Sequence, residues 1–227
     1  MIFEKSECPL EKKLDNFPKY VRRQTIARFL AFYEIFKRQI NVKGSIVECG
    51  VHNGGGVMTW AKLSSTLEPY NYHRKIIGFD TFSGFPQVSE VDLINPEVKE
   101  GMFAEQYDAY GEMLEVIKEY DNNRFINHIS KVELVKGDAN ETIPKYIKDN
   151  KYLIVSLLFL DFDIYDPTVT ALKHFLPRMP KGAIIAFDEI NNSDWPGETQ
   201  AMLEHLNINS HALESFEFEP NISFIQL

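Results

Sequence analysis

The chain lacks most of what would tie it to a secreted, membrane-spanning or nucleic-acid-binding role. Its 227 residues hold two cysteines, Cys8 in a polar lead and Cys49 in an apolar run. Both are read as reduced thiols and not as a disulfide framework. No stretch approaches the roughly 18 uninterrupted apolar residues of a membrane span. The charged start MIFEKSECPLEKK lacks the apolar centre of a signal peptide, so a cytoplasmic location is expected. Lys and Arg number 24 against 33 Asp and Glu, a formal net charge of −9, and no basic run stands out. Phosphate backbones reward clustered cations, so neither nucleic acid nor an anionic membrane is expected as a partner. The six histidines show no metal-ligand spacing. The G-x-G-x-x-G fingerprint of dinucleotide binders is also missing, which counts against an NAD(P)-dependent oxidoreductase, the rival enzyme class.

What remains is ordinary globular composition, 44% hydrophobic and 25% charged. Residues 1–17 read as a poorly ordered lead. From Phe17-Pro18 onward, Ile26, Phe29, Leu30, Tyr33 and Phe36 or Ile40 recur at helical spacing, and Lys43-Gly44 ends that helix. Residues 1–43 are therefore taken as an N-terminal arm and helix, and 44–227 as one α/β domain. Within it, strand patterns at 45–50, 76–80, 132–137, 152–163 and 183–189 alternate with helices reaching Leu67 and near 106–120, 141–149, 167–176 and 197–206. Such alternation predicts a mostly parallel sheet with helices on both faces. The tail predicts a closing antiparallel hairpin turning at Pro220-Asn221. That hairpin favours a methyltransferase-like sheet over the all-parallel dehydrogenase one. The segment from Gln87 to Glu105 is too long for a bare connection and reads as a lid or substrate loop.

Ligands of open α/β sheets bind at the carboxyl ends of the strands. The first strand ends in Glu48-Cys49-Gly50-Val51-His52-Asn53-Gly54-Gly55-Gly56. A glycine-rich turn lets backbone approach a ligand and opens a helix N-terminus to it. The acid beside it repels a pyrophosphate and attracts an ammonium. Asp80 ends the second strand, where a carboxylate accepts ribose hydroxyls; Thr81 and Phe82 follow it. Asp138 and Ala139 follow the third strand, with Asp138 suited to an adenine amino group or to capping the next helix. Asp161, Asp163 and Asp166 surround the fourth strand end and Asp188-Glu189 the fifth. So many carboxylates in one crevice need a compensating charge, and hard oxygen ligands favour Mg²⁺ or a similar cation.

Glu48–Gly56, GFDTFSGFP (78–86), LVKGDANETIP (134–144), FLDFDIYDPT (159–168) and FDEINNSDWPGE (187–198) together resemble the macrocin O-methyltransferase family. The likeness runs from about Phe17 to Ile190 and on through Trp195-Pro196-Gly197-Glu198, and thins in the final hairpin. It implies a class I S-adenosylmethionine-dependent methyltransferase fold for residues 44–227, with a divalent metal. The resemblance assigns Asp161, Asp188 and Glu189 to the metal and Asp163 to the base, Asp161 counting also among catalytic and donor-binding residues. Glu189 stands where the family has a second Asp, and His52-Asn53 replaces its usual Arg- or Trp-containing pair. The donor set implied is Glu48, Gly50, Val51, Asn53, Gly54, Asp80, Thr81, Phe82, Asp138, Ala139 and Asp161.

Tyr20, Arg23, Tyr165 and Trp195 are candidate acceptor contacts, with a solvated helix face or a packing anchor as the plainer reading. The expected reaction is methylation of a sugar hydroxyl, on a nucleotide sugar or a glycosylated metabolite of natural-product or polysaccharide biosynthesis. A phenol or catechol hydroxyl is the nearest alternative, and a non-catalytic module that kept the pocket the third. A homo-oligomer is expected, as is usual in the family.

Overall fold

The computed structural model describes residues 2–227. The lead is helical where disorder was expected: α1 (Ile2–Lys5), α2 (Leu10–Asp15) and a 3₁₀ turn at Phe17–Lys19. Lys13 fastens these pieces, donating from Nζ to Phe3 O at 2.5 Å while lying over the Phe3 ring. Phe3 in turn meets Tyr20 edge-on at 5.4 Å. Helix α3 (Arg23–Gln39) follows, starting later than the sequence periodicity suggests.

Five strand–helix units come next: β1 (Ser45–Cys49) and α4 (Gly55–Leu67); β2 (Ile76–Asp80) and α5 (Ala109–Asn122); β3 (Val132–Lys136) and α6 (Ala139–Asp149); β4 (Val155–Leu160) and α7 (Tyr165–Phe175); β5 (Ile184–Phe187) and α8 (Pro196–His205). Strands β6 (Leu213–Phe216) and β7 (Glu219–Gln226) close the chain. The sheet order is β3-β2-β1-β4-β5-β7-β6, parallel through β5, with β7 antiparallel to both β5 and β6.

Alternation decides which residues face which layer. Ile46, Ile76, Leu157, Phe159 and Ile184 pack with Phe32 and Phe36 of α3, Trp60 of α4 and Met113 of α5. Val47, Ile77, Phe79, Leu158, Leu160 and Ile185 pack with Ile143 of α6, Leu172 and Phe175 of α7 and Met202 of α8. Helix α3 thus shares a core with the sheet. All six residues of β4 are buried, as the unbroken apolar run requires.

The hairpin turns at Glu217-Phe218, three residues before the Pro220-Asn221 pair that sequence singled out. Pro220 instead falls inside β7 at the irregularity between the Ser215–Ser223 and Phe216–Glu219 pairs, short of where β5 pairing begins at Ser223. A residue without an N–H is tolerated there because no ladder bond is asked of it.

The strand order reverses between β1 and β4. Ligands of such sheets bind in the crevice just beyond the carboxyl ends at that point.

Candidate active site

Two strand ends meet too closely for side chains. Gly50, after β1, has φ +92, and a Cβ there would lie 1.9 Å from the Asp161 carbonyl oxygen beyond β4. Glu48 reaches from β1 beneath the start of α4, where its Oε1 accepts the Val57 N–H at 3.0 Å. A Cβ at Gly56 would come within 2.4 Å of that oxygen. Glycine at both positions therefore seats the acid in the crevice floor. Glu48 Oε2 and Trp60 Nε1 are buried without a hydrogen bond of standard geometry, although the indole N–H helps favour the ionised carboxylate. Burial outweighs this and the attraction of Arg28, pushing Glu48 up to about 8. A buried acid lining the cavity suits a cationic ligand group.

Asp80 draws the neighbouring loops together. Its Oδ2 accepts the N–H groups of Val51 at 2.7 Å and His52 at 2.8 Å, and its Oδ1 that of Phe82 at 2.6 Å. Oδ1 keeps a lone pair for a further donor. Asp138 caps α6 by accepting the Asn140 N–H at 2.8 Å, and its other oxygen is left for a ligand. Glu48, Gly50, Val51, Asn53, Asp80, Thr81, Phe82, Asp138, Ala139 and Asp161 all line one cavity of about 430 Å³. Gly54 does not; with φ +79 it opens α4 and backs onto the Met113 sulfur. The volume lies in the range of small-molecule pockets. The polar groups run from an adenine-suited acid through a diol-suited one to an ammonium-suited one, which fits S-adenosylmethionine.

The acids beyond β4 and β5 do gather, and a residue that sequence reading missed joins them. Arg28 of α3 donates from Nη1 to Asp188 Oδ1 at 2.6 Å and from Nη2 to Asp161 Oδ2 at 2.9 Å. Burial alone would lower the guanidinium's pKa, but Asp188 and Asp161 overcome it and raise it. Burial, and next the Asp188 charge, lift Asp161 well above the carboxylate range, with Arg28 opposing. Asp163, in the left-handed conformation at φ +63, is pushed up to about 7 by burial and then by Glu189 and Asp188. Glu189 feels the Arg28 charge, but its Oε2 accepts from Asn192 Nδ2.

A second missed residue ties both acidic loops. Glu198, fully buried on α8, accepts the Phe162 N–H at 3.2 Å and the Glu189 N–H at 3.1 Å. Its pKa is raised well above its ordinary range by burial and then by Asp163. The only available signals were a cation and an acid on otherwise apolar helix faces, where a partner is obligatory.

The long loop lies over the cavity, to which Phe85, Pro86, Met102, Phe103 and Glu105 contribute. Glu105 Oε1 accepts from Asn53 Nδ2 at 2.8 Å and sits 3.0 Å from His52 Nε2, and Tyr107 donates to Asn53 Oδ1. Trp195 stands behind this rim, 5.8 Å from the Phe103 ring and 6.1 Å from that of Phe85. The other acceptor candidates are set apart from the cavity. The Tyr165 hydroxyl donates to Glu204, Tyr20 packs on Phe3, and Arg23 is exposed at the start of α3. Among the described residues no helix is long and apolar enough to cross a membrane.

Comparison with known proteins adds to this geometry. The family described as Macrocin-O-methyltransferase (TylF) matches residues 23–210. A crystal structure of CalS11, a calicheamicin methyltransferase, is similar at 34% identity over 99% of this chain and 88% of that one, with a TM-score of 0.95. The apo structure of CalS11, described as a TDP-rhamnose 3'-O-methyltransferase of calicheamicin biosynthesis, is 30% identical over 99% and 89%, TM-score 0.86. The O-methyltransferase NovP shares the fold at 20% identity over 88% and 79%, TM-score 0.63. Among curated protein sequences none matches.

Proposed function

This chain belongs to the macrocin O-methyltransferase family, and on that premise we propose that it methylates a sugar hydroxyl, carried on a nucleotide sugar or a glycosylated metabolite, in the crevice described above. As a family member it is an S-adenosylmethionine-dependent O-methyltransferase. The observation that carries the reading is the single cavity linking Asp138, Asp80 and Glu48 to Asp161 and Asp163. It offers donor-suited groups along the β3, β2 and β1 ends, and a base beside the place where the methyl group would lie.

In this reading Glu48 faces the methionine ammonium, Asp80 the ribose diol and Asp138 the adenine amino group. Asp163 accepts the hydroxyl proton as the acceptor oxygen attacks the methyl carbon. The carbon–sulfur bond breaks, the positive sulfonium becomes a neutral thioether, and the proton stays on Asp163. A carboxyl near pKa 7 is matched to that exchange at neutral pH. In-line positioning supplies much of the remaining acceleration. Phe85 and Phe103 form an aromatic rim for the acceptor's planar or apolar part, backed by Trp195.

Metal assistance through Asp161, Asp188 and Glu189 was the expectation from family resemblance. As arranged, these residues do not fit an ion. Arg28 holds the first two, Glu189 pairs with Asn192, and among the described residues no group of three or more His, Cys, Asp or Glu is set to hold a metal. Self-association and a cytoplasmic location belong to the same reading; sedimentation and cell fractionation test them.

Incubation with methyl-labelled S-adenosylmethionine and a panel of nucleotide sugars, glycosides and catechols tests the acceptor class. Label is expected on a sugar oxygen. Transfer confined to phenolic hydroxyls would favour the alternative acceptor, and donor binding without any transfer the non-catalytic one.

A further inference from the structure

The acidic crevice has a cation of its own, supplied by the chain. Arg28 stands on α3, far in sequence from its partners Asp161 and Asp188, and its fork spans both strand ends at 2.9 and 2.6 Å. The guanidinium also lies over Phe32 and Phe159, 5.1 and 5.8 Å from the ring centroids. Planar, weakly hydrated and delocalised, it suits this place between two carboxylates and two rings better than a hydrated ion does. A divalent cation at the same crevice would draw on the same two carboxylates, one oxygen of each of which Arg28 already holds. Two cations at contact distance repel each other in this half-buried site.

Resting on the active-site reading above, we propose that Arg28 is a resident counter-ion that competes with divalent cations for Asp161 and Asp188, so that a metal binds there only by displacing the guanidinium. Arg28 is in this sense a positioning residue. It holds the two acids across the β4–β5 gap and couples the seating of α3 to the occupancy of the crevice.

Titration calorimetry with Mn²⁺ on wild type, Arg28→Met and Arg28→Lys tests this, each sample being titrated also with S-adenosylhomocysteine. Methionine keeps an unbranched chain against Phe32 and Phe159 while removing the charge. Arg28→Met is expected to bind Mn²⁺ at least tenfold more tightly than wild type, with Arg28→Lys between them. Adding Asp188→Asn to Arg28→Met is expected to abolish the gain. Equal Mn²⁺ affinity in wild type and Arg28→Met, or no Mn²⁺ binding by an Arg28→Met protein that binds S-adenosylhomocysteine normally, would overturn the proposal and leave the methyltransferase reading intact. Failure of wild type to bind S-adenosylhomocysteine would instead count against that reading. Should Arg28→Met not fold, Arg28→Lys carries the comparison, and affinity equal to wild type in it is the overturning result.

Discussion

Glu198 accepts the backbone N–H of Phe162 at 3.2 Å from 36 positions further along the chain. Its second oxygen accepts the Glu189 N–H at 3.1 Å. One buried carboxyl on α8 therefore fixes the loop carrying Asp161 and Asp163 relative to the loop carrying Asp188 and Glu189. Glu198→Ala leaves both amides unpaired, and displacing a base by about 1 Å can cost about 100-fold in rate. A fall of that order in kcat is expected, with the affinity for S-adenosylhomocysteine nearly unchanged. Glu198→Gln, which retains one acceptor oxygen, is expected to lose less. Equal losses in donor affinity and kcat would contradict the positioning role.

In the proposed mechanism Asp163 serves as a base, and only when ionised. Its pKa is raised to about 7, so the rate at limiting acceptor should climb with pH through about 7 and then level off. Asp163→Asn is expected to lower kcat by about 10²- to 10⁴-fold, the usual contribution of a positioned base, and to flatten the profile. A wild-type profile already flat from pH 5 to 8 would assign the proton to another group.

Glu48 makes the protein's stability depend on pH in a definite direction. Its folded value, about 8, lies above the ordinary 4.5. The resulting contribution is complete below pH 4.5 and is lost as pH rises through 8. Without ligand, Glu48→Gln should therefore melt a few degrees above wild type at pH 8 and no higher at pH 5. In the proposed reading the same substitution removes the partner of the donor's ammonium, so S-adenosylmethionine should bind at least tenfold more weakly. Calorimetric melting across that range, with and without donor, checks both signs.

The cavity's polar groups suit a sulfonium nucleoside, and the chain has no glycine fingerprint for a pyrophosphate. S-adenosylhomocysteine at about 100 times its Kd should add about 2.7 kcal/mol of stability. For a chain of this length that is a rise of about 5–10 °C in Tm. NAD at the same concentration should add none; a comparable rise with NAD would reopen the oxidoreductase reading.

Aromatic contacts of the rim with an acceptor are worth about 0.5–1.5 kcal/mol each. Phe85→Ala and Phe103→Ala should each raise the acceptor KM by about 2- to 10-fold, with little change in kcat or in donor affinity. If kcat fell while KM held, the rim would be acting on the chemistry instead.

Much of this was legible in the chain because the fold places ligands where apolar runs stop. Glu48, Asp80, Asp138, Asp161 and Asp163 each stand at or just past such a stop, and all five line the cavity. Arg28 was not legible as a site residue. Helical spacing shows that it shares a face with Phe32, but not that this face crosses the ends of β4 and β5. Tyr165 stands apart for a related reason: it opens α7, and its hydroxyl donates to Glu204. The hairpin turn was displaced because Pro220-Asn221 has turn chemistry while Glu217-Phe218 has none. There the pairing of β7 with β5 and β6 set the register, a long-range constraint that local residue preferences do not encode.

The most direct test is a crystal structure of the ternary complex with S-adenosylhomocysteine and the sugar acceptor identified by label transfer. The account predicts the accepting hydroxyl within about 2.6–3.2 Å of an Asp163 oxygen, in line with the donor sulfur, with the methionine ammonium on Glu48. An acceptor oxygen out of reach of Asp163, or a nucleoside bound away from Asp80 and Asp138, would contradict it.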